Sequence, residues 1–373
     1  MTISTTPMSP LLGEHHSLGA YFTDFAGWQM PLKYTGDLAE HHAVRTAAGL
    51  FDLSHMGEIA IEGPAAGALL DYALVGQLST IGSGRAKYSL ICTADGGVID
   101  DLVVYRLADD RFLVVANAAN ARRVYAEFDS RAEGFDVSVT DQSAETALIA
   151  VQGPQAQAIV AALVPGPDRA AVAELAYYAA APAVVAEIDV LLARTGYTGE
   201  DGFELYVANE HAITLWQALL AETRTRGGTP AGLACRDTLR LEAGMALYGH
   251  ELTLHTNPYE AGLGKVVRLD TSFVGRDALA ALAAKPSSRT LVGLVGTGRR
   301  AARAGYPILD MSGQEIGTVT SGALSPTLGY PIAMAYLDLA HAQPGTDVSV
   351  DIRGKAETYT VTPRPFYRRP TTS

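Results

Sequence analysis

The sequence has only two cysteines, Cys92 and Cys235, in 373 residues. That is too few for a disulfide framework and predicts a reducing, cytoplasmic setting. There are nine histidines, including the doublets His15-His16 and His41-His42, but no HExxH spacing and no CxxC pair. The ligand spacings of a zinc site are missing, so no metal is expected. No Lys or Arg precedes Lys33, which argues against a secretory leader or an Arg-rich transit peptide. Long hydrophobic runs are missing too. One of the longest, Leu175–Ala186, is half alanine and contains Pro182, whereas a membrane span needs about 20 apolar residues. Positive charge is in deficit: 28 Lys+Arg against 40 Asp+Glu leaves −12. A nucleic-acid partner, which requires a basic face, is therefore not expected. No internal period of about 20–50 residues is visible.

What is present is a globular composition, 48% hydrophobic and 18% charged, long enough for two or three domains and a sizeable core. Apolar periodicity predicts helices over Leu38–Ala48, closed by Gly49, and over Ala65–Val75, Ala121–Phe128 and Ala212–Thr223. Between them, Val98–Tyr105 and Arg111–Ala116 read as a hairpin, and Ile188–Ala193 as a further strand. Lys285-Pro286-Ser287-Ser288 reads as a linker. Beyond it come short β runs: Thr290–Val295, Gln314–Thr320, Ile332–Leu337, Asp347–Ile352 and Tyr359–Val361. That spacing suggests a small barrel or sandwich. The expectation is an α+β body over residues 1–284, of two interleaved subdomains, followed by a β domain over 285–373.

Three segments carry residue types suited to chemistry. In Gly96-Gly97-Val98-Ile99-Asp100-Asp101 the adjacent carboxylates lie on a strand, so they point to opposite faces and are not a dyad. At most one enters a given pocket, and the other is expected to be solvated or capping. The second segment is the loop Arg194-Thr195-Gly196-Tyr197-Thr198-Gly199-Glu200-Asp201-Gly202. Its evenly spaced glycines suggest backbone that a ligand can approach. Glu204 follows in the apolar run Phe203–Val207, where a carboxylate is costly unless it meets a donor; an ordinary exposed strand position is the other reading. In the third segment, Gly232–Gly244, Leu233, Arg236 and Arg240 share one helical face. Arg236 suits a planar carboxylate clamp or an internal pair with an aspartate. Cys235 has no histidine partner nearby and reads as a small core residue.

These segments, in this order, resemble the aminomethyltransferases of the glycine cleavage system, the T-proteins. The resemblance runs over nearly the whole chain. It includes Asp24–Pro31, Gly49–Gly57, Tyr88-Ser89-Leu90, Asn117–Asn120, Arg236–Glu242, Pro258–Leu263 and Thr320–Leu328. One departure is Lys265, where such proteins often carry Trp. The resemblance implies a three-part, ring-like folate-binding body with a C-terminal β-barrel. It implies transfer of a methylene from the aminomethyl-lipoyl arm of an H-protein to tetrahydrofolate, with release of ammonia. It places the essential carboxylate at Asp101 and pterin binding at Glu204. Folate contact falls to Arg236, with Tyr197, Asn117, Tyr88, Met56 and Tyr367 lining the pocket. A carboxylate beside the attacking nitrogen would stabilise developing positive charge, and one at Glu204 would accept from two adjacent pterin donors.

Three alternatives stand beside this reading. Iron–sulfur-cluster folate proteins of this fold carry a cysteine in the loop, which here has none. A related tetrahydrofolate-dependent demethylase, acting on a methylated amine or sulfonium, is the nearer enzyme alternative. A folate-binding module without catalysis is the third. Finally, Arg299, Arg300, Arg303, Arg364, Arg368 and Arg369 suggest a basic patch that would steer an acidic H-protein.

Overall fold

The computed structural model describes residues 7–285 and 287–370. The linker expected at 285–288 contains Pro286, which lies outside the described residues. The chain divides into two compact units. One comprises Met1–Leu70, Leu78–Tyr88 and Leu102–Asp237; the other comprises Asp71–Gln77, Ser89–Asp101 and Thr238–Ser373.

The first unit is built on a six-stranded sheet. Its strand order is Ala180–Val185, Ile188–Ala193, Gly202–Ala208, Thr146–Gln152, Gly49–Asp52, Thr229–Pro230. All neighbours are antiparallel except the last pair. The central strand Thr-Ala-Leu-Ile-Ala-Val-Gln is buried along almost its whole length, as expected of a strand covered on both faces. Pro182 lies in the first strand, at the sheet edge, where a missing N–H does least harm. The helices Ala156–Leu163 and Asn209–Thr225 supply Ile159, Val160, Leu215, Trp216 and Leu219 to the core beneath the sheet.

The short helix Leu12–Ser17 is tied down by a buried polar cluster. Asp52 accepts from Ser9 Oγ at 2.5 Å and from His15 Nε2 at 2.8 Å, and Tyr34 Oη lies 3.0 Å from His15 Nδ1. Burial alone would raise the Asp52 pKa, but the hydrogen bond and charge of His15, with Ser54 and Ser9, hold it below the usual carboxylate value. Ser9 and His15 both bind the aspartate rather than each other, so this is not the relay of a serine nucleophile.

In the second unit the strands Arg289–Gly296, Pro331–Asp338, Glu315–Leu324, Pro307–Leu309, Asp347–Asp351 and Ala356–Thr362 form a closed barrel. Leu294, Ile308, Val319, Ala333, Val350 and Tyr359 fill it. Closure leaves no unpaired sheet edge. Two of the sequence's motif segments meet here. Buried Glu242 accepts from Ser325 Oγ, Thr327 N and Thr327 Oγ1 at 2.5, 3.0 and 2.7 Å. Arg240, 1% exposed, bonds Glu251 at 2.9 Å and Ser321 at 2.7 Å. Lys265 is exposed in the turn Gly264–Val266, so the charge that replaces an aromatic ring there is solvated. No helix among the described residues is long and apolar enough to cross a membrane.

Candidate active site

Glu204 stands on the strand Gly202–Ala208, between the buried Phe203 and Leu205. Alternation turns Phe203 and Leu205 into the core and leaves Glu204 half-buried on the other face, where Tyr206 also lies. Thr195 Oγ1 donates to Glu204 Oε2 at 2.5 Å, and Tyr105 Oη reaches the same oxygen at 3.4 Å. Tyr105 Oη is 2.8 Å from Thr195 Oγ1, and Tyr206 Oη donates to Tyr105 Oη at 3.4 Å. Burial leaves the Glu204 pKa raised; Thr195, the charge of Arg236 and Tyr105 limit the rise without cancelling it. The position is thus neither a plainly exposed strand residue nor a naked buried charge.

Arg236 lies on the helix Leu233–Glu242 and stacks its guanidinium over the Tyr197 ring, 4.8 Å from the centroid. Burial lowers its pKa, and Tyr197, Glu204 and Cys235 oppose that. So Glu204, Arg236 and Tyr197 form one electrostatic group in the first unit. His55, 3% exposed, joins it. Burial, reinforced by the Arg236 charge and opposed by Asp52, brings the His55 pKa down to about 4, so its ring is neutral at pH 7. Its Nδ1 is buried with no hydrogen-bond partner among the described residues, and the ring meets Phe25 edge-on at 5.2 Å.

The loop that carries Thr195 and Tyr197 is held from behind. Gln152 donates through Nε2 to Thr195 O at 3.1 Å and accepts from Thr198 Oγ1 at 3.0 Å. Arg45 reaches Thr198 O at 2.7 Å and Glu200 at 2.8 Å. Arg194 forms a bidentate pair with Asp201, at 3.0 and 2.6 Å. This corrects one expectation. A Cβ on Gly196 or Gly202 would collide with the Gln152 side chain. Those two glycines make room for a protein amide, not for a ligand.

Of the other expected residues, Met56, Tyr88 and Asn117 lie half-buried in the first unit, and Asp101 and Tyr367 half-buried in the second. Along Val98–Ala108 burial alternates from Asp100 onward, with Asp100, Leu102 and Val104 inside. The partner of Asp101 is therefore not solvated, as expected from sequence, but fully buried at 0% exposure. Tyr367 donates its backbone N–H to Glu242 O at 2.8 Å. Cys235 is a core residue, with burial pushing its thiol well up and Sγ donating to Gly232 O at 3.3 Å. Sequence reasoning missed Thr195, Tyr105 and His55. Tyr105 carried a signal: a phenol in the apolar run Val103-Val104-Tyr105 must find a partner when buried. Thr195 and His55 lay inside segments singled out from the sequence, but nothing marked those two side chains among their neighbours.

Comparison with known proteins identifies the family. A family model described as the GCVT N-terminal domain matches residues 11–271, and one described as the glycine cleavage T-protein C-terminal barrel domain matches 289–368. An aminomethyltransferase of Saccharopolyspora erythraea is 57% identical over 98% of this chain and 100% of the relative. One of Streptomyces avermitilis is 58% identical over 95% of this chain and 96% of the relative. The crystal structure of the glycine cleavage system aminomethyltransferase T from Bartonella henselae superposes with a TM-score of 0.91 at 39% identity, over 98% of this chain and 99% of that one. The chain belongs to the glycine cleavage T-protein family of aminomethyltransferases.

Proposed function

We propose that Glu204, Arg236 and Tyr197 hold the pterin end of tetrahydrofolate and that Asp101 serves its reacting nitrogen. The chain is an aminomethyltransferase of the glycine cleavage system, and this reading assigns its substrates to residues. The observation that carries it is the state of Glu204. Thr195 donates to Oε2, and the Tyr105 hydroxyl lies 3.4 Å from the same oxygen, which leaves the carboxylate able to accept through Oε1. A pterin presents an amino group and a ring N–H side by side, and a carboxylate matches that pair. Arg236 and the Tyr197 ring supply a flat, cationic neighbour for an aromatic ligand. Met56, Tyr88, Asn117 and Tyr367 complete the proposed contacts.

Tetrahydrofolate supplies the nitrogen nucleophile that accepts the methylene. The protein's part is electrostatic. The Asp101 carboxylate stabilises positive charge as it develops on that nitrogen and takes the departing proton. The aminomethyl group arrives on a sulfur of the lipoyl arm of an H-protein, the partner this reading implies; the methylene ends bridging two folate nitrogens, whose two protons leave with ammonia and the freed lipoyl thiol. The demethylase and the non-catalytic module are not favoured by relatives that are aminomethyltransferases over nearly full length.

The test is ammonia release from aminomethylated H-protein with and without tetrahydrofolate, together with calorimetric titration of Glu204→Gln. The amide keeps the shape but offers one acceptor, so tetrahydrofolate affinity should fall by about 1.5–3 kcal/mol. Unchanged affinity would remove Glu204 from the pterin site.

A further inference from the structure

We infer that Tyr206, Tyr105 and Thr195 form a one-directional hydroxyl relay that positions the Glu204 carboxylate and stabilises its negative charge for its ligand. The inference rests on the reading of Glu204 as the pterin acceptor and adds three positioning residues to it.

Proton counting fixes the direction. Each hydroxyl has one proton to give. Thr195 commits its own to Glu204 Oε2 at 2.5 Å. The 2.8 Å contact between Tyr105 and Thr195 can then be made only if Tyr105 donates, so its longer 3.4 Å approach to Glu204 Oε2 has no second proton to use. Tyr206 in turn donates to Tyr105 at 3.4 Å. The chain runs Tyr206 to Tyr105 to Thr195 to Glu204, and every dipole in it points its positive end at the carboxylate. Hydrogen bonds aligned this way polarise one another, most strongly where solvent is excluded. Burial, followed by the Glu204 charge, pushes the Tyr105 phenol well above its usual pKa, and burial with Tyr105 and Glu204 does the same for Tyr206. Neither donor is lost in the neutral range.

The frame is rigid. Tyr206 and Glu204 are two residues apart on one strand and so share a face. Tyr105 comes from the strand Val98–Ala108, and its ring meets Tyr206 edge-on at 5.8 Å and 72°. Thr195 follows the strand Ile188–Ala193, whose Ala193 pairs with Glu204, and Gln152 holds its carbonyl. The other charged groups near this chain are Arg236, which favours the ionised Glu204, and Glu58, which acts on Tyr206. Glu58 is buried with neither carboxylate oxygen bonded among the described residues. Burial and then Asp141 push its pKa well up, so it adds little negative charge.

A carboxylate that binds ligand only when ionised gives affinity that is full above its pKa and lost below it. Removing a donor raises that pKa, so the acid limb must move to higher pH. The experiment is tetrahydrofolate titration from acid to neutral pH for Thr195→Val, Tyr105→Phe, Tyr206→Phe, Thr195→Ser and Glu204→Gln, beside thermal unfolding. The expected loss of affinity at the parent's limb is about tenfold for Thr195→Val, smaller for Tyr105→Phe and smallest for Tyr206→Phe. Each loss comes with an upward shift of the limb, and Thr195→Ser restores the parent curve. If Thr195→Val does not fold, the two Phe variants carry the same ranking. Loss of affinity without movement of the limb, equal loss at all three positions, or Thr195→Ser as weak as Thr195→Val would overturn the relay. Should Glu204→Gln bind like the parent, the pterin assignment itself fails; if only the hydroxyl variants do, the relay alone fails.

Discussion

Asp100 and Asp101 are neighbours that a single nitrogen atom should separate. Asp101→Asn removes charge from a half-buried carboxylate, and loss of one well-placed electrostatic stabiliser costs about 3–4 kcal/mol of barrier. Turnover should fall about 10²–10³-fold with the melting temperature kept. Asp100 is fully buried, so Asp100→Asn should instead cost about 1–3 kcal/mol of stability and leave kcat per folded molecule near the parent value. A larger turnover loss at Asp100 would reverse the face assignment. His55 gives a prediction with a definite sign. Its pKa falls from 6.5 to about 4 on folding, so between those values the unfolded chain binds the extra proton and stability rises with pH. The contribution is complete above about pH 6.5, amounts to about 3 kcal/mol at most, and is lost as pH falls to about 4. His55→Phe should flatten the acid side of a stability-against-pH curve; an unchanged slope would mean the ring is not held neutral. The sequence made Glu204 and Arg236 legible because a carboxylate in an apolar run and an arginine on a helix stand out from their neighbours. Thr195 and His55 did not stand out: Thr195 meets Glu204 only because Ala193 and Glu204 pair across adjacent strands, and His55 depends on Arg236 from a distant segment.

At the scale of elements, the loop from Arg194 to Gly202 depends on a cation from another element. Arg45, on the helix Asp37–Thr46, pairs with Glu200 at 2.8 Å, with both side chains 4% exposed. Removing one member of such a pair leaves an uncompensated buried charge, at a cost of about 3–5 kcal/mol. Arg45→Met should therefore destabilise strongly in denaturant unfolding, and Arg45→Met with Glu200→Gln should recover part of the loss. Additive losses in that double-mutant cycle would show that the pair is not coupled. The strands of the barrel were readable as short alternating runs, except Pro307–Leu309, whose three residues are too few for alternation to register. The hairpin joining Ala180–Val185 to Ile188–Ala193 was half missed for a different reason. Its turn residues, Ala186 and Glu187, both have positive φ, 53° and 64°. Such turns ordinarily use Asn or Gly, so the run through Ala186 showed no signal of reversal.

For the whole molecule the relevant quantity is charge. The net −12 sets a repulsive background for an acidic partner, and the exposed arginines of the barrel unit are local exceptions. The cluster expected from sequence is smaller than it looked. Arg364 is half-buried, directed at Leu291 O, with its pKa lowered by burial, and Arg300 pairs with Glu357 at 3.0 Å. Arg299, Arg303, Arg368 and Arg369 are exposed. If they steer H-protein, Arg299→Glu with Arg303→Glu should lower kcat/KM for H-protein and flatten its dependence on ionic strength. Equal salt slopes in mutant and parent would leave these arginines without a part in docking. One topological feature bears on how the molecule is made. The short strand Gly49–Asp52 lies between Thr146–Gln152 and Thr229–Pro230. Neither neighbour exists when it leaves the ribosome. At about 5–20 residues per second, roughly a hundred codons separate it from the first, or some 5–20 s, and nearly as many again from the second. Throughout that interval an apolar Gly-Leu-Phe segment has both edges open, so the yield of soluble protein should depend on translation speed and chaperone supply more than on the stability of the finished sheet.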